Sequence, residues 1–227
     1  MIFVKSEDLK YGMRLAKPIY NKTGVLLYER NTRLTLQGIE SVKNFGLLGL
    51  YILEPAEPVP PMTEEDLDFE RFQTMAVFSI REELDNIIAG REPVNLKRLA
   101  NAIITNYGRL DHKITFTQNL RSTTDYVYKH VINTAILCAL ISAQVYYTPT
   151  EQEELELAAL LHDIGKLLLP NKVREKYDDY DTNDLIIVKK IQNDGLGLLR
   201  PEIGIDSGVR RIVAQIHRME YGNSNLE

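Results

Sequence analysis

Short apolar runs separated by turn-forming residues characterise the first part of the chain. Runs at residues 2–4, 15–20 and 25–28 predict strands, and the polar residues 21–24 predict a turn between the last two. Apolar residues at steps of three predict a helix over residues 35–45, with Thr35 as its N-cap and Gly46 as its stop. A further strand is predicted over residues 50–53. Together these elements predict a small α+β module over residues 1–57.

Beyond residue 57 the apolar spacing changes to that of helices. Four prolines within residues 54–62 cannot continue a helix or a central strand, so we predict a domain boundary there. Thr63 is the predicted N-cap of the next helix. Helical spacing then recurs in six segments, residues 63–90, 94–107, 124–147, 151–161, 182–193 and 205–218. The predicted fold is therefore mainly α, with a helical bundle over residues 63–227 following the small module.

The first long helix has one apolar stripe. Its members recur at helical spacing and are Phe69, Phe72, Met75, Ala76, Ile80, Leu84, Ile87 and Ile88. A seam inside the bundle and a homodimer contact would both produce this stripe. We favour the core interpretation and keep the homodimer as the alternative.

Composition narrows the classes of protein and of partner. Of the 227 residues, 44% are hydrophobic and 26% are charged, as in ordinary globular domains. The net charge of -5 argues against a broad nucleic-acid or anionic-membrane surface. The single cysteine, Cys138, excludes a disulfide within the chain and is predicted to be a core thiol. No signal peptide and no long apolar span is recognised in the sequence, so we expect a cytoplasmic protein.

Three of the four histidines lie in suggestive contexts, and the strongest context is that of His162. His112 lies in a polar stretch and is predicted to be a solvated loop residue. His162 and Asp163 follow an apolar helix and precede Gly165 and Lys166. Imidazole nitrogen and carboxylate oxygen are donors for Fe, Mn and Zn alike, so the pair is a candidate metal site. The alternative is a helix end whose polar dipeptide is capped by glycine.

A second histidine motif gives the pair a family context. The run Tyr128-Lys129-His130-Val131-Ile132-Asn133 precedes the segment from Leu160 to Lys166 and the triplet Leu168-Leu169-Pro170. In this order the motifs resemble the HD superfamily of metal-dependent phosphohydrolases, and most closely its HD-GYP group of cyclic-di-GMP phosphodiesterases. Residues 9–16 and 24–27 resemble a module often found ahead of such domains.

The resemblance implies both a fold and a chemistry. It implies an HD-type helical bundle in which His130, His162 and Asp163 bind divalent metal. It also implies that Asp163 bridges the metals and that Lys166 neutralises charge on the phosphate. The substrate would be cyclic di-GMP or another nucleotide.

The chain departs from the family pattern at several positions. Ile191 and Gln192 stand where the family has His-Pro, and Ile216 replaces the first of two paired histidines. His217 matches the second of that pair and is a further candidate ligand. Residues 224–226 replace Gly-Tyr-Pro, and the family's final aspartate would lie beyond Glu227, so the domain is expected to be short at its carboxyl end.

Isoleucine has no lone pair and cannot replace an imidazole ligand, so too few donors remain for a second metal. We therefore expect one ion (Fe, Mn or Zn) and impaired or altered activity. A domain that senses cyclic dinucleotides without cleaving them, and a protein-interaction domain on the same scaffold, stay open as alternatives.

Overall fold

The structure is a computed structural model that describes residues 1–45, 47, 49–110, 125–176 and 179–222. Within these residues it contains eight α-helices and five short strands, which confirms the prediction of a mainly α protein with a small sheet. The described residues form two compact units, residues 1–78 with 125–126, and residues 79–110 with 127–222. The domain boundary expected at the proline-rich segment stays a prediction. His112, Gly46, Thr124 and residues 224–227 lie outside the described residues, and so do the expectations placed on them.

The first unit is built on a three-stranded antiparallel sheet in the order β1-β5-β2. Its strands are β1 (Ile2–Lys5), β2 (Arg14–Leu15) and β5 (Gly49–Leu53). A separate hairpin pairs β3 (Ile19–Tyr20) with β4 (Leu26–Tyr28). Helix α1 (Leu36–Asn44) begins at the predicted N-cap, where the Thr35 hydroxyl accepts a hydrogen bond from the Gly38 amide. Apolar side chains from the sheet and the helix form the core, among them Leu15, Leu34, Ile39, Val42, Leu50 and Ile52.

The strand predicted over residues 15–20 divides into β2 and β3, which belong to different sheets. Pro18 lies between them and has no amide hydrogen to donate to a ladder, so a continuous strand is disfavoured. Lys17, also between them, is buried and forms an ion pair with the buried Glu70.

Helix α2 (Glu64–Ile88) begins as predicted after Thr63, whose hydroxyl and amide exchange hydrogen bonds with Asp66. Ile80, Leu84 and Ile87 on its apolar stripe are fully buried within the single chain, which supports the core interpretation for this part of the helix. Met75 on the same stripe is exposed. The homodimer contact stays a prediction.

Five longer helices and one short helix complete the second unit. They are α3 (Leu96–Tyr107), α4 (Asp125–Ser142), α5 (Pro149–Leu161), α6 (Asn171–Arg174), α7 (Thr182–Leu196) and α8 (Ser207–Tyr221). Helix α4 ends before the predicted residue 147, because Val145, Tyr146 and Tyr147 are exposed and gain no burial. The sequence did not predict α6, which is only four residues long. Among the described residues, no helix combines the length and the apolar character needed to cross a membrane.

Candidate metal centre

Helix α5 leads directly into His162 and Asp163, which are buried within the second unit. The helix begins with a capping box between Thr148 and Glu151 and with Pro149 in its first turn. Its last five residues, 157–161, are buried and fix it in the core. The chain then tightens into a 3-10 helix, Ile164–Leu168, directly after Asp163. This turn brings Lys166 Nζ to 2.9 Å from Asp163 Oδ2, as their spacing of three predicts.

His130 on α4 completes a compact group of three donors with His162 and Asp163. The His130 and His162 Nε2 atoms lie 3.2 Å apart, and each is 3.5 Å from Asp163 Oδ2. Bonds of about 2.0–2.2 Å to zinc place the donors of a tetrahedral site roughly 3.3–3.6 Å apart. The three donor atoms therefore form a triangle of the size that one divalent cation requires, and they fit a bound metal.

The backbone orients the His162 ring for metal binding. Its Nδ1 lies 2.8 Å from the Ala159 carbonyl oxygen, which can only accept, so Nδ1 carries the proton. The lone pair of the neutral ring is then on Nε2, which faces His130 and Asp163. His162 and Asp163 are buried, whereas 37% of the His130 side chain is exposed. The donor triangle is therefore open on the His130 side, where water or substrate can approach.

Asp163 is ionised although it is almost fully buried. Burial raises the pKa of its carboxyl group, but the electrostatic interactions with His162 and Lys166 outweigh this effect and lower the pKa below its ordinary value. The Lys166 ammonium forms an ion pair with Oδ2, which also lowers the pKa of this carboxyl group. The other oxygen, Oδ1, accepts a 2.6 Å hydrogen bond from Gln192 Nε2. Both oxygens are thus held by residues of the second unit.

Gln192 on α7 is the site residue that the sequence did not identify. The expected place of the family's histidine was Ile191, but Ile191 packs against the apolar cluster of Leu169, Val173 and Val188. Gln192 instead faces Asp163 and is 1% exposed. Helical periodicity could have indicated this, because Val188, Gln192 and Gly195 lie at steps of four and three on one buried face. A polar residue on that face needs a polar partner.

His217 was a candidate ligand, and the structure gives it a different position. It is not a member of the donor group formed by His130, His162 and Asp163. Its Nε2 lies 2.7 Å from the His162 carbonyl oxygen and donates to it, so this nitrogen has no lone pair for a metal. The ring is 3% exposed and packs edge-on against Tyr221. His217 therefore supports the backbone of a donor residue instead of joining the donor set.

A comparison with family models finds a match in this region. Residues 127–222 match the HD domain, a range that includes all three donors and the helices that hold them. No curated protein and no solved structure matches the chain. The match supports the assignment of this segment to the HD superfamily of metal-dependent hydrolases, in which divalent metals are bound. The three donors of this chain are a group that could hold such an ion.

Proposed function

We propose that this protein is a metal-dependent phosphohydrolase of the HD superfamily, and specifically an HD-GYP-like phosphodiesterase that acts on cyclic di-GMP. The observation that supports this most directly is the triangle of nitrogen and oxygen donors from His130, His162 and Asp163, with sides of 3.2–3.5 Å. The match of residues 127–222 to the HD domain supports the reaction class. The choice of substrate rests on the resemblance of residues 128–133 and 160–170 to the HD-GYP group.

The geometry gives each residue a part in such a reaction. A divalent ion, when bound, lowers the pKa of a coordinated water and polarises a phosphoryl oxygen. Asp163 contributes the negative charge that offsets the cation, and the Ala159 carbonyl holds His162 in the tautomer that can coordinate. His130 lies at the exposed edge, where an anionic substrate would enter. Lys166 contributes a fixed positive charge beside Asp163, where charge on the phosphate would be stabilised.

A turnover assay tests the proposal. The purified protein, supplied in turn with Mn²⁺, Fe²⁺ and Zn²⁺, is incubated with cyclic di-GMP, and the products are separated chromatographically. We expect conversion to the linear dinucleotide that is lost in Asp163→Asn. The exposed Asp194 on α7 provides a matched control, since Asp194→Asn makes the same chemical change away from the donors. Equal turnover in wild type and Asp163→Asn would contradict the proposal.

A silent domain on the same scaffold is the second candidate function. The hydrocarbon side chains of Ile191 and Ile216 and the amide of Gln192 favour it, because none of them supplies the imidazole or carboxylate donor of a second metal. Calorimetric titration with cyclic di-GMP separates the candidates. Binding without any turnover would support a sensing domain, and neither binding nor turnover would support an interaction domain.

A further inference from the structure

We infer that Gln192 is a positioning residue that limits the centre to a single cation. Its carboxamide engages one oxygen of Asp163 and leaves only the other to a metal. This inference rests on the proposed metal-binding function, and it specifies how many ions the site takes and which residue decides that number.

The hydrogen bond between Gln192 and Asp163 is buried, and its direction is defined: the amide donates and the carboxylate accepts. Both side chains are 1% exposed, and Nε2 lies 2.6 Å from Oδ1. An ionised carboxylate offers only acceptors, so the amide group of Gln192, and not its carbonyl oxygen, faces Oδ1. An amide N–H₂ has no lone pair available for a metal. A second ion bridged by this carboxylate would bind at Oδ1, and the Gln192 amide hydrogen already points at that oxygen.

The charges around Asp163 also disfavour a second cation. When a carboxylate bridges two metal ions about 3.5–4 Å apart with one oxygen on each, both oxygens must face a position that a cation can occupy. Here Oδ1 is engaged by the amide, and the Lys166 ammonium already lies 2.9 Å from Oδ2. Lys166 and the amide dipole supply positive charge where a second metal would otherwise be needed. With neutral imidazoles, one divalent ion and this lysine already outweigh the single negative charge of Asp163, and a second cation would increase that excess.

Close packing prevents Gln192 from turning away. A β-carbon at position 165 would lie 2.6 Å from Gln192 Cα and 2.7 Å from the Ile191 carbonyl oxygen. A β-carbon at position 195 would come within 2.6 Å of the Gly165 nitrogen and α-carbon. Two glycines thus bring α7 against the 3-10 helix at van der Waals distance. Gln192 is 1% exposed, so in this position its amide has little access to water.

The decisive variant is Gln192→Glu, which keeps the shape and replaces the amide with a carboxylate. Two carboxylates in contact repel each other unless a cation or a proton lies between them. We expect Mn²⁺ content measured by elemental analysis to rise from about one ion per chain in the wild type to about two in Gln192→Glu. Lys190→Gln is the control, because it changes the net charge equally at an exposed position of the same helix and should leave about one ion.

The outcomes separate this inference from the proposed function. One ion in both the wild type and Gln192→Glu overturns the role of Gln192 and leaves the metal site standing. No ion in the wild type overturns the metal site itself. Electron paramagnetic resonance of the Mn²⁺-saturated wild type gives an answer even where the variant does not fold. We expect the spectrum of an isolated ion, and a spin-coupled pair would overturn the inference.

Discussion

Gly195 lies so close to Gly165 that a β-carbon at position 195 would come within 2.6 Å of the Gly165 nitrogen and α-carbon. The contact joins α7 to the turn that follows the His-Asp pair. It places Gln192 against Asp163, and thereby links the geometry of a candidate ligand to the packing of a neighbouring helix. Glycine is required here for lack of space, since both residues have ordinary backbone angles.

Substitution at position 165 should therefore damage both stability and metal binding. In Gly165→Ala the new methyl group would meet the Gln192 backbone, and overpacking of this kind costs about 1–3 kcal/mol. We expect a lower midpoint in thermal unfolding and weaker metal binding, because Gln192 and Asp163 must move apart. Gly197→Ala, at the end of the same helix, is the control, since its closest approach is a milder 3.1 Å. Equal losses in the two variants would argue against the contact.

His217 should affect metal affinity through His162. Loss of its hydrogen bond to the His162 carbonyl frees the backbone of a donor residue, and such supporting contacts typically contribute about 10–100-fold in affinity. We expect His217→Ala to weaken metal binding by about tenfold without reducing the number of ions bound. His217→Gln, which can place an amide donor near the position of Nε2, should recover part of the affinity. A lower metal stoichiometry in both variants would instead indicate that His217 is a ligand.

The buried ion pair between Lys17 and Glu70 predicts a non-additive effect on stability. Removal of one partner breaks a buried ion pair, and such a loss costs about 3–5 kcal/mol. We expect Lys17→Met to lower the free energy of unfolding by this amount, and the double variant with Glu70→Leu to recover most of it. Asp68→Asn breaks the exposed pair with Arg71 and should cost less than about 1 kcal/mol. Chemical denaturation measures these variants together with Glu70→Leu alone. A loss in the double variant equal to the sum of the two single losses would contradict the account.

Glu156 gives the protein a specific dependence on pH. Burial raises the pKa of its carboxyl group to about 8, and neither of its oxygens has a hydrogen-bond partner among the described residues. In the unfolded chain the carboxyl group ionises near its ordinary pKa of 4.5. The unfolded state therefore binds fewer protons between about pH 4.5 and 8, so stability falls as the pH rises through this window and the full cost is present above it.

The variant Glu156→Gln removes the titrating group and should flatten this dependence. We expect it to unfold at a higher temperature than wild type at pH 8.5, and the gain to be much smaller at pH 5. The difference corresponds to a few kcal/mol at most, on the order of the shift in pKa. Glu175→Gln, at an exposed position, is the control and should change little at either pH. A gain that is the same at both pH values would show that titration of Glu156 is not its source.

The sequence predicted those parts of the fold that depend on local pattern. Apolar spacing and the Thr35 cap were sufficient for α1, and the run of buried residues before His162 was sufficient for α5. The candidate donors His130, His162 and Asp163 were chosen by their resemblance to HD motifs, which are local in sequence, and the structure brings their donor atoms together. Cys138, predicted as a core thiol, is only half-buried, yet burial and the nearby Glu156 carboxylate raise the pKa of its thiol to about 11.

The parts that could not be predicted depend on contacts between distant segments. Gln192 reaches Asp163 only because Gly165 and Gly195 allow two backbones to meet, and no periodicity within α7 specifies that partner. His217 was assigned by its match to a family motif, which does not indicate which of its nitrogens faces the donors. Its hydrogen bond to the His162 carbonyl requires α8 and α5 to be packed together.

Metal content of the purified protein tests the central claim most directly. If His130, His162 and Asp163 together hold a cation, elemental analysis of the wild type should find about one equivalent of Fe, Mn or Zn per chain. His162→Ala and Asp163→Ala should each lose it, because each removes a donor from the triangle, while Asp194→Asn should retain it. A wild-type protein without metal, or the same content in all three variants, would contradict the account.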